Sequence, residues 1–232
     1  MSDEFERAWL AKLSGSLDRV VGPEIRGKVM AGSEGLSDTS ERNTVITWSE
    51  QAMDRLNAIV DEEKRREIMT GCACQYPKDG LQDIRKKYEE TGDISIVHGM
   101  LHERFVSFLR NDLGLDDDII NDVVTRGMGL AGKLEGDAII ATKIPKSGYI
   151  REYFAEKDIV KKRAIYCHCP RIRDALKTST EISPTYCYCG AGYYKGIWEE
   201  ILQRPVKVEL LESVLKGDEA CKIAIDLRSR QV

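Results

Sequence analysis

Tyr186-Cys187-Tyr188-Cys189-Gly190-Ala191-Gly192-Tyr193-Tyr194-Lys195-Gly196-Ile197-Trp198 sets two thiols, three glycines and four tyrosines in one short run. Ile182 to Thr185 ahead of it read as extended. Behind Gly192, the residues Trp198, Ile201 and Leu202 recur at helical spacing. Cys187 and Cys189 are therefore expected on a strand-to-helix corner, where free N–H groups point outward. Two further C-x-C pairs lie upstream in sequence: Cys167 and Cys169 around His168, followed by Pro170, and Cys72 and Cys74 just after Gly71.

Composition bounds what these thiols do. The chain has 232 residues and a formal charge of −4, which argues against a general nucleic-acid or anionic-membrane surface. The N-terminus is acidic, no apolar run approaches membrane-spanning length, and the expected location is cytoplasmic. Thiols stay reduced there, so a cysteine cluster reads as metal ligands or redox groups rather than structural disulfides. Seven cysteines also leave one unpaired in any full disulfide scheme.

Outward from the cysteine stretch, the chain divides near residue 132. Apolar positions recur at helical spacing over Phe5–Val21, where Gly22-Pro23 is expected to stop the run, and over 46–70, 78–90 and 94–112. Asp116-Asp117-Asp118 reads as the acidic first turn of a helix to about 131. Four glycines between Gly127 and Gly136 then close the helical part. Strand-like runs follow at Ala138–Thr142 and Ala164–Tyr166, and alternation over Val206–Leu215 and Ala220–Leu227 predicts an antiparallel hairpin turning at Lys216–Glu219. The expected class is α+β: a helical region over 1–132, then a cysteine-rich region over 133–232 with an antiparallel sheet, helices and a closing hairpin.

Thiolates suit zinc, copper(I) or iron–sulfur, and four would complete a tetrahedral zinc. The expected metal set is Cys167, Cys169, Cys187 and Cys189, with Cys221 nearby; buried thiols also serve as small core hydrophobes. His98 and His102 share a helix face but lack the glutamate between them that a zincin carries. Tyr188, Gly190, Gly192 and Tyr193 are the candidate ligand-binding residues, with the glycines also serving a tight corner or close backbone approach.

The segment Cys187–Tyr193 together with Glu212–Ile223 resembles the vinyl-reductase-type small-molecule-binding domain found in bacteriochlorophyll vinyl reductase and in aromatic-responsive sensors. A cysteine-proline segment followed by a strand-turn-strand ending Gly-Asp-x-x-Cys is similar to the L-2-amino-thiazoline-4-carboxylic acid hydrolase-like family. The resemblance covers roughly residues 135–228. It implies a pocket between helices and an antiparallel sheet, with a structural zinc near the last hairpin. The sensor ligands would map to the 187/189 corner and Cys221, but Ser213 and Leu210 stand where a cysteine and a glutamate are needed. The hydrolase-like pattern implies Cys169 or Cys167 as nucleophile, with His168 as base. Three readings follow: a zinc-associated small-molecule-binding protein, a thiol-dependent hydrolase of a small C–N or C–S ring using Cys169 and His168, or an iron–sulfur or redox protein. The helical half is left open as a lid or homodimerisation element.

Overall fold

Gly22-Pro23 bends the first helix instead of ending it. In the structure, a computed structural model that describes residues 5–228, α1 runs Phe5–Met30 and changes direction at Gly22, whose φ is 83°. Pro23 then occupies the first turn of the continuing segment, where its missing N–H costs nothing. The periodicity over 46–70 likewise resolves into two helices, α2 (Arg42–Ile59) and α3 (Glu62–Thr70). Val60 between them is extended, and the Asp61 carboxylate accepts the Lys64 N–H, a cap that starts a new helix inside an apolar repeat.

α4 (Gln82–Thr91) ends on left-handed Gly92, and α5 (Ile94–Ser107) starts from the Asp93 cap. A π-type turn over Phe108–Asp112 leads to α6 (Asp117–Thr125), which is capped by Asp116 as the acidic run predicts. α6 stops short of 131 because Gly127 and Gly129 take positive φ, so that Met128 bridges to Thr142 instead.

The second part of the chain carries β1 (Lys133–Glu135), β2 (Ala138–Thr142), β3 (Lys207–Glu212) and β4 (Lys222–Asp226) in one antiparallel sheet of order β1-β2-β4-β3. The helical N-terminal part and the closing strand pair are as the pattern predicts. The hairpin is less regular: a register shift lies between Leu210 and Glu212, and a 3-10 turn at Val214–Lys216 with left-handed Gly217 replaces the outer strand ends.

One expected strand is helical, and a second stretch that reads as extended forms no strand. Ala164–Tyr166 closes α8 (Ile159–Tyr166), which follows α7 (Ile150–Ala155) and precedes α9 (Pro170–Ala175). The Asp158 carboxylate accepts the N–H groups of Val160 and Lys161, and this cap sets a helix where a short apolar run alone is ambiguous. Asp158→Ala is expected to lower stability by about 1 kcal/mol, read from the urea midpoint at unchanged m value; a strand there would leave the midpoint in place. Ile182–Thr185 leads into a 3-10 turn at Pro184–Cys187 and then α10 (Tyr188–Leu202), so the cysteine corner joins a turn to a helix.

α10 is the centre of the molecule. Tyr188, Ala191, Tyr194, Ile197, Trp198 and Ile201 are buried around much of its circumference, as a helix covered on several sides requires. It packs on α3 and α4 on one side and on β3 and β4 on the other. The sheet's inner face supplies Ile139, Ala141, Leu210, Ile223 and Ile225, all buried. Gly192 makes the α3 contact close: a Cβ there would lie 2.8 Å from Thr70 Cα. Among the described residues no helix is long and apolar enough to cross a membrane.

Candidate functional site

The backbone first decides where each thiol goes. Cys167 and Cys169 occupy the corner between α8 and α9, both with extended dihedrals. Cys187 is the residue before α10, and Cys189 lies in its first turn. Cys221 precedes β4 and follows the Ser213–Gly217 turn. All the described cysteines are free thiols.

Cys187 and Cys221 are neighbours, each acting on the other's proton, and Cys167 acts on the same pair. Cys221 is the acidic member, held down to about 7 from an ordinary 9.0. The neighbouring Cys187 thiol is the largest cause; the Val214 N–H, the nearby Lys143 charge and the Ser213 hydroxyl also favour its thiolate, against the cost of burial. Cys187 is correspondingly pushed well up, first by its neighbour Cys221 and then by burial. Burial also raises Cys167 to about 12. Of the two, Cys221 is therefore the thiol that gives up its proton first.

Tyr166 fixes this arrangement. Its hydroxyl donates to the Lys143 carbonyl at 2.7 Å and accepts the Cys221 N–H at 2.9 Å, and the Lys143 N–H donates to the Cys221 carbonyl at 2.8 Å. Lys143 thus stands at the end of β2 beside the Cys221 backbone, and Cys167, Cys221, Cys189 and Cys169 all favour its charged form. Its ammonium reaches the first turn of α10, 4.0 Å from where a Cβ of Gly190 would stand. Lys143 favours the thiolate forms of Cys167, Cys189 and Cys221 alike. Ser213 is fully buried; its Oγ accepts the Leu215 N–H and its own N–H donates to Asp218 Oδ2 at 2.8 Å, which holds the turn against the thiols.

The second thiol of each pair goes elsewhere. Cys169 Sγ lies 3.4 Å from the Tyr186 hydroxyl, beside the Arg171 guanidinium. Cys189 Sγ donates to the Cys72 carbonyl at 3.4 Å, which brings the N-terminal C-x-C segment to α10. Burial raises Cys189 to about 12, with Cys169 and Cys74 adding to it and Lys143 opposing. Cys72 is fully buried, donates to Ile68 O and is pushed far up, as a core thiol should be. Of the expected set, Cys167 and Cys187 lie with Cys221, while Cys169 acts on both Cys167 and Cys189, and Lys143 faces Cys167, Cys169, Cys189 and Cys221. Among the described residues no group of three or more His, Cys, Asp or Glu side chains is arranged to hold a metal ion.

His168 points away from the thiols. Its Nε2 donates to the Ile144 carbonyl at 2.8 Å, and burial, helped by Lys143, lowers its pKa to about 4. Tyr188, Gly190, Gly192 and Tyr193 face different neighbours. Tyr188 lies under Arg66, 5.3 Å from its ring centroid, and meets β3 at Leu210. Gly192 abuts Thr70, Tyr193 packs edge-on against Tyr76, and Gly190 faces Lys143. His98 Nε2 donates to the Gly132 carbonyl at 3.3 Å, remote in chain from the thiol segments.

Sequence reasoning missed Lys143 and Tyr166. A lysine directly after the apolar run Ala138–Thr142, and a tyrosine directly before Cys167, were the available signals.

Residues 146–232 match the model of a family of unknown function (DUF6144), which takes in Cys167, Cys169, Cys187, Cys189 and Cys221 but leaves out Lys143 and the helical region. No curated protein and no solved structure matches the chain.

Proposed function

We propose that the protein is a thiol-based redox protein whose reactive pair is Cys221 and Cys187. What supports this reading is the neighbouring pair Cys187 and Cys221, set in place by the Tyr166 hydroxyl on the Cys221 N–H, by Lys143 on the Cys221 carbonyl and by the Ser213 turn, with Cys221 held down to about 7. A thiol with that affinity for its proton is close to the optimum for attack on a disulfide at neutral pH. The Cys221 thiolate attacks one sulfur of a disulfide substrate, and the other sulfur leaves as a thiolate. Cys187, losing its proton, then attacks the Cys221 sulfur of the mixed disulfide. This forms a Cys187–Cys221 disulfide and releases the second substrate thiol. Lys143 stabilises the attacking thiolate electrostatically, and the Val214 N–H and Ser213 hydroxyl position it. Such a pair works from the reduced state, in keeping with the cytoplasmic location expected from composition.

Titration of cysteine Cβ chemical shifts by NMR tests the assignment without needing reagent access. Cys221 is expected to titrate near pH 7, and Lys143→Met to move that midpoint upward towards 9. The sign follows from charge: removing a cation beside a thiolate favours the protonated form. A Cys221 midpoint near 9 in the unaltered protein would sink the reading.

A zinc-thiolate site is the second reading, favoured by the third thiol, Cys167, facing the pair. Zinc would need Cys167, Cys187 and Cys221 all deprotonated and drawn together. Elemental analysis separates the two readings. About one tightly held zinc per chain, lost in Cys221→Ser, would support the metal site, and metal-free protein with a titrating Cys221 the redox pair. For the hydrolase reading, the acidic Cys221 is a better supported nucleophile than Cys169, and His168 is turned to Ile144.

A further inference from the structure

Cys74 is the exposed cysteine of the chain, and it stands opposite a face of α10. Three contacts define that placement. The Cys189 thiol donates to the Cys72 carbonyl at 3.4 Å, Tyr76 packs edge-on against Tyr193 with ring centroids 6.4 Å apart, and Gln75 Oε1 lies 3.5 Å from where a Cβ of Gly196 would be. Cys189, Tyr193 and Gly196 are spaced i, i+4, i+7, one stripe of the helix. The segment Cys72–Tyr76 therefore runs along that stripe, and Cys74 falls between its two anchored ends. Cys74 also acts on the proton of both Cys189 and Tyr193. The segment has no regular secondary structure after Cys72, so its backbone can adjust. Lys12 Nζ, donating to the Ala73 carbonyl at 3.2 Å, puts a cation one residue from Cys74.

We propose that Cys74 and Cys189 form a second, surface-facing thiol pair that exchanges with low-molecular-weight disulfides. Cys74, as thiolate, attacks one sulfur of the small disulfide and expels a small thiolate, leaving a mixed disulfide on Cys74. Cys189 loses its proton and attacks the Cys74 sulfur. The Cys74–Cys189 disulfide forms and the second small thiolate leaves. The chain is oxidised by two electrons, and one disulfide is reduced to two thiols. Cys74 is the entry thiol because it is exposed; Cys189 is the resolving thiol because its helix holds it beneath the loop. The proposal stands on its own geometry and does not require the Cys187–Cys221 reading.

The full chain, reduced and then exposed to glutathione disulfide, gives the test, with disulfides mapped by peptide mass spectrometry over time. The expected result is a transient glutathione adduct on Cys74 that gives way to a Cys74–Cys189 disulfide. Cys189→Ser should instead accumulate the adduct. Cys74→Ser, a change on an exposed loop that leaves the core intact, should slow oxidation of Cys189 at least about tenfold, since intramolecular attack works at millimolar effective concentration. An adduct that stays on Cys74 in the unaltered protein would overturn the proposal. So would Cys189 oxidation at the same rate without Cys74. Formation of Cys187–Cys221 while Cys74 remains a free thiol overturns this pair and leaves the other standing.

Discussion

Glu6→Ala is expected to lose about 3–5 kcal/mol of unfolding free energy. The Glu6 carboxylate is 2 % exposed and holds Arg171, which is 0 % exposed, through Nε at 2.7 Å and through the terminal amino group. Arg42 pairs with the other carboxylate oxygen at 2.7 Å and also with Asp174 at 2.9 Å. Without Glu6, Arg42 keeps a partner and some solvent, whereas Arg171 keeps neither. Its guanidinium would be left between Trp9, at 4.0 Å from the ring, and Trp48, at 5.6 Å, where an uncompensated charge is costly. Ring faces offset a part of that cost. The double variant Glu6→Leu with Arg171→Met should recover most of the loss, because it removes both charges and keeps the volume. Urea unfolding of Glu6→Leu, Arg171→Met and the double variant closes the cycle. Equal losses in Glu6→Ala and the double variant would mean that packing, not the ion pair, holds α1 to α9.

Gly192→Ala is the second large effect, with an expected loss of about 3 kcal/mol. The added Cβ would stand 2.8 Å from the carbonyl carbon and Cα of Thr70 and closer still to its oxygen. All three are backbone atoms, so no side-chain rotation relieves the clash. α3 and α10 would have to separate, and the contact between Cys189 and the Cys72 carbonyl lies just beyond that crossing. Gly190→Ala is the matched control on the same helix. Its Cβ meets nothing nearer than Lys143 at 4.0 Å, and alanine is the better helix former. Gly190→Ala should keep the wild-type urea midpoint or raise it. Similar losses in both variants would show that the helix needs glycine for its turn rather than for its crossing.

The two predictions concern the two supports of the thiol region. The Glu6–Arg171 pair ties the start of α1 to α9, one residue past Pro170 and two past Cys169. The Gly192 crossing presses α10 against the segment that carries Cys72 and Cys74. The placement of Cys169 and of the Cys72–Cys74 segment therefore depends on packing made by residues that carry no thiol themselves.

Periodicity was enough to read the architecture. The helical residues before about 132 and the alternating runs at the C-terminus each repeat with the period of their own structure, and burying one face is what stabilises them. Caps were legible too, as with Asp116, because the cap and the N–H groups it serves lie within three residues. Local reading failed where a short apolar run allowed either period: Ala164–Tyr166 became helical once Asp158 capped α8, and Ile182–Thr185 did not form a strand. The C-x-C pairs marked the region of interest, but not the partners within it. Alternate thiols leave the backbone in different directions, so which ones meet depends on where α8, α10 and the hairpin turn are placed against each other. Cys221 owes its low proton affinity to Cys187, Val214, Lys143 and Ser213, which come from three separate segments of the chain. Charge fields and hydrogen bonds act through space over a few ångströms, and no spacing along the sequence records them.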